Sequence, residues 1–253
     1  MVLIETIVVA FSMFSALPMP HVEWNAKNMR FSLCAFPLVG VVIGLAGSVW
    51  WAICSWFSLP SVLRGVGLCL LPVGITGGIH LDGYADTCDS LASHAPLEKK
   101  QEILKDAHLG TFAVIHLCGY FLASFALWST LLEWNATVII ASFCLSRTLS
   151  GLAITCFPLA RDTGLAHTFA EAADKKTVKK ILLGMAAFFA CVLAICGKGW
   201  MMLVFVVTFA YYHRMARKQF GGLSGDLAGW FVQTAELWAL IALIAVQYGG
   251  KIL

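Results

Sequence analysis

Charge is what this sequence has least of. Only 12% of its 253 residues are Asp, Glu, Lys or Arg, about half the share found in soluble domains, so the chain lacks the polar surface to cover itself in water. It also lacks a basic tract. Its Lys and Arg residues fall in short clusters between apolar runs, which excludes a nucleic-acid footprint. The nine cysteines include no Cys-x-x-Cys pair and lie mostly inside apolar runs (Cys34, Cys54, Cys69, Cys118, Cys144, Cys191). They read as small buried hydrophobes with free thiols rather than as disulfides or metal ligands. There are no short segments of alternating hydrophobicity, which excludes a transmembrane barrel. No internal repeat or low-complexity linker is visible, and no cleaved signal peptide is expected, because neither a basic n-region nor a small-residue cleavage site is present.

What the chain has instead is apolar length: 60% of its residues are hydrophobic and its mean hydropathy is +0.83. Several runs approach the ~20 residues that cross a bilayer as a helix. The expected fold is all-α, a polytopic transmembrane helical bundle forming a single integral-membrane domain over 1–253. Seven spans are predicted, at 31–57, 62–79, 112–132, 136–157, 181–196, 200–212 and 227–247. The segment 2–17, which stops at Pro18-Met19-Pro20, is short for a span and reads as tilted or partly inserted. Gly40, Gly44 and Gly47 predict a face where another helix comes close. Loops 20–30, 80–111, 158–180 and 213–226 fall on one side and carry thirteen of the seventeen Lys and Arg residues, the exceptions being Arg64, Arg147, Lys198 and Lys251. The positive-inside rule places that side in the cytoplasm.

The same side carries the one concentration of acid. In Gly77-Gly78-Ile79-His80-Leu81-Asp82-Gly83-Tyr84-Ala85-Asp86-Thr87-Cys88-Asp89, three carboxylates follow directly on an apolar run. If the segment is helical, Asp82, Asp86 and Asp89 fall within ~60° of one another on one face. Like charges so placed repel, and a divalent cation would account for the set. Carboxylates without a Cys or His pattern are hard oxygen ligands that suit Mg²⁺ or Mn²⁺, with the shell completed by water and phosphate oxygens. The small residues Gly77, Gly78, Gly83 and Ala85 leave room for a bulky phosphate ester. His80 is the one histidine adjacent to this stretch.

Other candidates are weaker alone. Lys105-Asp106-Ala107-His108 stands before a span, and Asp106 reads equally as a helix-start charge. Gly221-Gly222-Leu223-Ser224-Gly225-Asp226 is a glycine-rich loop leading into a helix, which can offer backbone N–H groups to phosphate. Glu236 lies about 15 Å further along that helix, inside the membrane, where a carboxylate is functional or paired. Arg147, mid-span, needs a carboxylate or a substrate anion. Arg161 is either a phosphate partner or a positive-inside residue.

Taken together, Phe36-Pro37-Leu38-Val39-Gly40, the aspartate stretch, Lys105-Asp106-x-x-Leu109-Gly110-Thr111, Ser146-Arg147, Ala160-Arg161-x-x-Gly164-Leu165 and Gly221-Gly222-x-Ser224-Gly225-Asp226 resemble, in order, the cobalamin synthase family. These are the adenosylcobinamide-GDP ribazoletransferases of the bacterial inner membrane, and the resemblance covers about residues 31 to 240. It implies that a hydroxyl of α-ribazole, or of its 5′-phosphate, attacks the cobinamide-linked phosphorus of adenosylcobinamide-GDP and releases GMP with Mg²⁺. On that reading Asp82, Asp86, Asp89 and Asp226 are the catalytic and metal-binding set. His80, Gly83, Asp106, Arg147, Arg161, Gly221, Gly222 and Gly225 contact substrate. The lipid bilayer is a partner, and a homo-oligomer is compatible with the sequence. Ser90 stands where the family pattern has glycine, and Ala107-His108 where it has Ser-Arg. A CDP-alcohol phosphotransferase also uses spaced aspartates after Asp-Gly, but no Ala-Arg follows the Asp-Gly here. A cation transporter using Asp82, Asp86 and Glu236 would call for an inverted repeat.

Overall fold

A chain that must bury its backbone polar groups in lipid satisfies them within helices, and every long apolar run here is helical. The computed structural model describes residues 2–106 and 108–250; Ala107 and Lys251 of the sequence reading lie outside them. In order, the helices are α1 (Val2–Phe14), α2 (Ala26–Met29), α3 (Ser32–Trp56), α4 (Ser61–Thr76), α5 (Ile79–Ala92), α6 (Leu97–Ile103), α7 (Thr111–Thr130), α8 (Ala136–Cys156), α9 (Leu165–Ala172), α10 (Lys175–Ile195), α11 (Met201–Phe220) and α12 (Gly225–Gly249).

Five of them (α3, α7, α8, α10 and α12) are long and apolar enough to cross a membrane, and six spans result if α4 and α5 are taken as one bent unit. Seven and a shorter N-terminal segment were expected. The difference has a physical origin in each case. Helix α4 has 16 residues and turns by 96° into α5. The last turns of α11 carry Arg214, Arg217 and Lys218, leaving an apolar stretch of roughly three turns. Helix α1 is only 13 residues long. The expected loops are also more ordered than the sequence suggested: α11 continues to Phe220, and the 158–180 segment holds α9 and the start of α10. Lys175, Lys176, Lys179 and Lys180 therefore lie in the first turns of α10, whose N-terminus is capped by Asp174 through the Thr177 amide, 3.2 Å away.

The bundle is built around α8, which is largely buried and packs on α3, α10 and α12, whereas α7 and α10 are mostly outward-facing. In lipid there is little hydrophobic gain between helices, so close van der Waals fit carries association. The expected glycine face supplies it. A Cβ on Gly40 would lie 2.6 Å from the Phe143 carbonyl oxygen, and one on Gly44 2.5 Å from the Ile140 side chain. Only glycine lets α3 and α8 meet there.

Candidate functional site

The site starts with a corner. Gly77 and Gly78 both have left-handed backbones, with φ of +65° and +79°, a conformation glycine adopts without the Cβ penalty. Gly77 ends α4 as a left-handed cap, and the chain leaves at 96°. Helix α5, with three aspartates in 14 residues, is the polar half of this bent pair.

Its first turns are pressed against the start of α12. A Cβ on Gly83 would sit 2.7 Å from both Cα and the carbonyl oxygen of Asp226, and one on Gly229 would sit 2.9 Å from the His80 carbonyl oxygen. This crossing puts Asp82 and Asp226, 144 positions apart in sequence, on the wall of one cavity of about 590 Å³. Gly83 therefore admits α12, and it is not among the residues that line the cavity. The start of α12 is fixed by Ser224, whose hydroxyl accepts from the Leu227 amide at 3.2 Å.

Arg161 reaches the same cavity. Its segment is pinned to the glycine-rich loop by Ala160 N–H donating to the Leu223 carbonyl (2.7 Å) and Leu223 N–H to the Pro158 carbonyl (2.9 Å). A Cβ on Gly222 would meet Ala160 N at 2.6 Å. The three glycines of this loop that were expected to touch substrate thus divide. Gly221 ends α11 with φ +76°, Gly222 is buried against Leu159 and Ala160, and Gly225 alone lines the cavity. Arg161 donates to the Gln101 carbonyl, and its buried Nε has no partner. Lys105, Thr163 and Ser224 also line the cavity. Lys105 and Ser224 belong to motifs read in the sequence, though neither was singled out.

The four aspartates share a field without converging on a point. Asp86 is pushed up to about 6, by burial first and then by Asp82, Asp226 and Asp89. Asp89 turns to the N-terminus of α7, where Oδ1 accepts from the Ala113 amide at 3.2 Å. A Cβ on Gly110 would lie 2.1 Å from that carboxylate, so glycine at 110 is what lets Asp89 cap α7. Ser90, next in line, donates to the Lys100 carbonyl at 3.0 Å and ties α5 to α6.

Asp86 and Asp89 are not among the residues that line the cavity, and Asp106 and Arg147 stand apart from it as well. Asp106 is exposed and bonds His108 through both its amide (3.0 Å) and its ring Nδ1 (2.7 Å). Arg147 is fully buried and paired with Glu236, which also accepts from the Ser146 hydroxyl at 2.6 Å. Of the two partners open to Arg147, the carboxylate is the one it has. His80 does line the cavity. Its ring meets Phe36 edge-on at 5.4 Å, and it is held neutral, pushed down to about 3 by burial first and then by the Arg147 charge.

Among the described residues, no three His, Cys, Asp or Glu side chains form a ready-made metal cage. The donor chemistry still fits Mg²⁺, which is commonly held through one or two carboxylates, waters and substrate phosphates. Asp82 and Asp226 on one wall, with Asp86 in their field, are hard oxygen donors whose mutual repulsion a cation would relieve.

In the aromatic part of the cavity, Phe36 stands in a motif read in the sequence and His80 beside the aspartates, whereas Phe14 and Phe169 had no sequence signal. Phe14, Phe36 and Phe169 line it with His80, and in a chain this apolar a cavity-lining phenylalanine looks like a lipid-facing one.

Residues 6–244 match the CobS family model, described as cobalamin-5-phosphate synthase. A protein of Lachnoclostridium phytofermentans named adenosylcobinamide-GDP ribazoletransferase is 37% identical over 249 residues, covering 94% of this chain and 93% of its own. Proteins of the same name from Geobacillus sp. and Escherichia coli O17:K52:H18 are 32% and 31% identical, covering 88% and 92% of this chain and 89% and 96% of theirs. No solved structure matches the chain.

Proposed function

The chain belongs to the CobS family of cobalamin-5-phosphate synthases, and on that premise we propose that it transfers the adenosylcobinamide phosphate of adenosylcobinamide-GDP to α-ribazole or its 5′-phosphate. A P–O bond forms to the acceptor hydroxyl, the bond to the GMP phosphate breaks, and the hydroxyl proton passes to a base. With the family in hand, the CDP-alcohol phosphotransferase and cation-transporter readings fall away. The observation that carries the site is the crossing of α5 and α12 at Gly83, which sets Asp82 and Asp226 on one cavity wall with Arg161.

Asp82, Asp86 and Asp226 are assigned to Mg²⁺. When bound, Mg²⁺ would supply charge neutralisation at the diphosphate and at departing GMP. Arg161, with an unpartnered Nε beside Asp226, meets a phosphate oxygen of the donor. Asp89 holds the N-terminus of α7 against α5 and so keeps the carboxylate face in register. The apolar walls exclude water that would otherwise compete with the acceptor hydroxyl. The cavity opens to the cytoplasm, the side that carries most of the Lys and Arg residues.

The test is GMP release from adenosylcobinamide-GDP and α-ribazole by the full chain in membranes. Activity should vanish on chelation, return with Mg²⁺, and fall at least about 10²-fold in Asp82→Asn and Asp226→Asn. Wild-type turnover and unchanged Mg²⁺ dependence in both variants would remove the metal assignment.

A further inference from the structure

Four rings from four elements form one wall of the cavity. Phe14 of α1 lies 4.2 Å from Phe36 of α3 and 5.5 Å from Phe169 of α9, and Phe36 meets His80 of α5 at 5.4 Å, centroid to centroid. Phe36 and Phe169 are each 2% exposed and His80 4%. Among the described residues, two of those lining the cavity carry a buried side-chain nitrogen without a hydrogen-bond partner: Arg161, at Nε, and His80 of the aromatic wall, at Nε2. A buried polar atom left unpaired in a folded protein is a place where a ligand atom belongs.

We propose that this wall is the subsite for the base of the acceptor nucleoside, with His80 Nε2–H donating to its single free ring nitrogen. The inference rests on the transferase reading above and assigns one of the two substrates to one part of the cavity. The acceptor brings one aromatic base and the donor two, guanine and the adenine of its adenosyl group with three free ring nitrogens and an amine, and polar atom counts separate them. The benzimidazole of ribazole is flat and apolar apart from one acceptor nitrogen, which matches a wall of phenyl rings with one free donor. Guanine carries a carbonyl, an amide N–H, an amine and further ring nitrogens, most of which would be stranded there. Stacking on the phenyl faces supplies affinity and the His80 bond supplies selectivity, because a site built around a hydrogen bond rejects an analogue that lacks it.

The experiment compares benzimidazole α-riboside with indole α-riboside, which has carbon in place of the free nitrogen, using the full chain and following GMP release. The wild type should favour the benzimidazole riboside by about tenfold or more in kcat/KM. His80→Phe should erase the preference, and His80→Gln, which keeps a donor, should retain it. Phe169→Leu should raise KM for both ribosides by about tenfold while leaving KM for adenosylcobinamide-GDP unchanged. The unchanged donor KM also serves as the check that the variants fold. A preference that survives His80→Phe, or a rise in donor KM in place of acceptor KM, overturns the assignment. If the wild type releases no GMP with any nucleoside, the transferase reading fails and the subsite falls with it.

Discussion

Gly83→Ala is the sharpest perturbation of this site, because a single methyl group meets backbone rather than a side chain that could swing away. The new Cβ would lie 2.7 Å from Asp226 Cα and its carbonyl oxygen, against the 3.4 Å at which contact becomes ordinary. Helices α5 and α12 must separate by about 0.7 Å at the point where Asp82 and Asp226 face the same cavity. Overpacking of this kind costs about 1–3 kcal/mol, which a bundle of this size survives. Catalysis is less tolerant: Mg²⁺ holds its ligands at about 2.0–2.1 Å, and a misplacement of order 1 Å costs about 10²-fold in rate. The expected result is a protein that still accumulates in the membrane, has kcat for GMP release reduced about 10²-fold, and needs more Mg²⁺ for half-maximal rate. Gly184→Ala, at a helical glycine with nothing within 4 Å of the added carbon, is the control and should behave as wild type. Wild-type rate and Mg²⁺ dependence in Gly83→Ala would refute the claim that this crossing sets the site.

Three further outcomes follow from individual contacts. Arg147→Ala leaves the Glu236 carboxylate buried without its partner and should cost about 3–5 kcal/mol in detergent unfolding, whereas Arg147→Met combined with Glu236→Leu should recover most of that. Asp89→Asn keeps an acceptor for the Ala113 amide and should retain activity within about tenfold, while Asp89→Ala loses the cap and about 1 kcal/mol; loss of activity in the Asn variant equal to that of Asp82→Asn would make Asp89 a ligand after all. Asp86 keeps its proton up to about pH 6 in the folded protein, against an ordinary value of 3.8, so its ionisation opposes folding most above pH 6 and the penalty fades as pH falls toward 4. Without Mg²⁺, Asp86→Asn should therefore be more stable than wild type at pH 8 with the gap closing in acid, and added Mg²⁺ should stabilise the wild type preferentially.

How far the sequence could reach depended on whether a residue's role is local. Gly40 and Gly44 were legible because an i, i+4 glycine pair has one common use between membrane helices, and the structure places α8 against both. The aspartate spacing was legible as a helical face, and α5 is a helix. Its division was not legible, since the destination of Asp89 is set by the amide of Ala113, 24 residues on, and by a missing side chain at Gly110. The two glycines at 77 and 78 marked small size, but the 96° corner depends on their φ angles, which composition does not encode. Gly83 was read as room for substrate, and in the structure α12 occupies the space beside it. Charges at the end of α11 hid how far that helix runs, because a polar stretch reads equally as loop or as the wet end of a helix.

Two arginines and two carboxylates of α12 explain why the same chemistry serves different ends at different depths. Asp226 and Glu236 are ten residues apart, about 15 Å along one helix. At the deep position Arg147 donates to Glu236 and to the Phe143 carbonyl (2.9 Å), is 1% exposed and does not line the cavity. Its Nε is buried without a partner, like that of Arg161, so what separates the two is that Arg147 lies off the cavity and, through Glu236, anchors α12 to α8. At the shallow position Arg161 and Asp226 both line the cavity, and Arg161 donates to the Gln101 carbonyl. A rigid element fixed at one end and presenting a ligand at the other is what a site that must hold geometry requires. The two positions should therefore separate kinetically. Arg161→Ala should raise KM for adenosylcobinamide-GDP at least about tenfold with unfolding unchanged. Changes at Arg147 should lower stability and kcat together without selecting between the substrates, and an Arg147 variant of full stability with only donor KM altered would reverse the assignment of the two arginines.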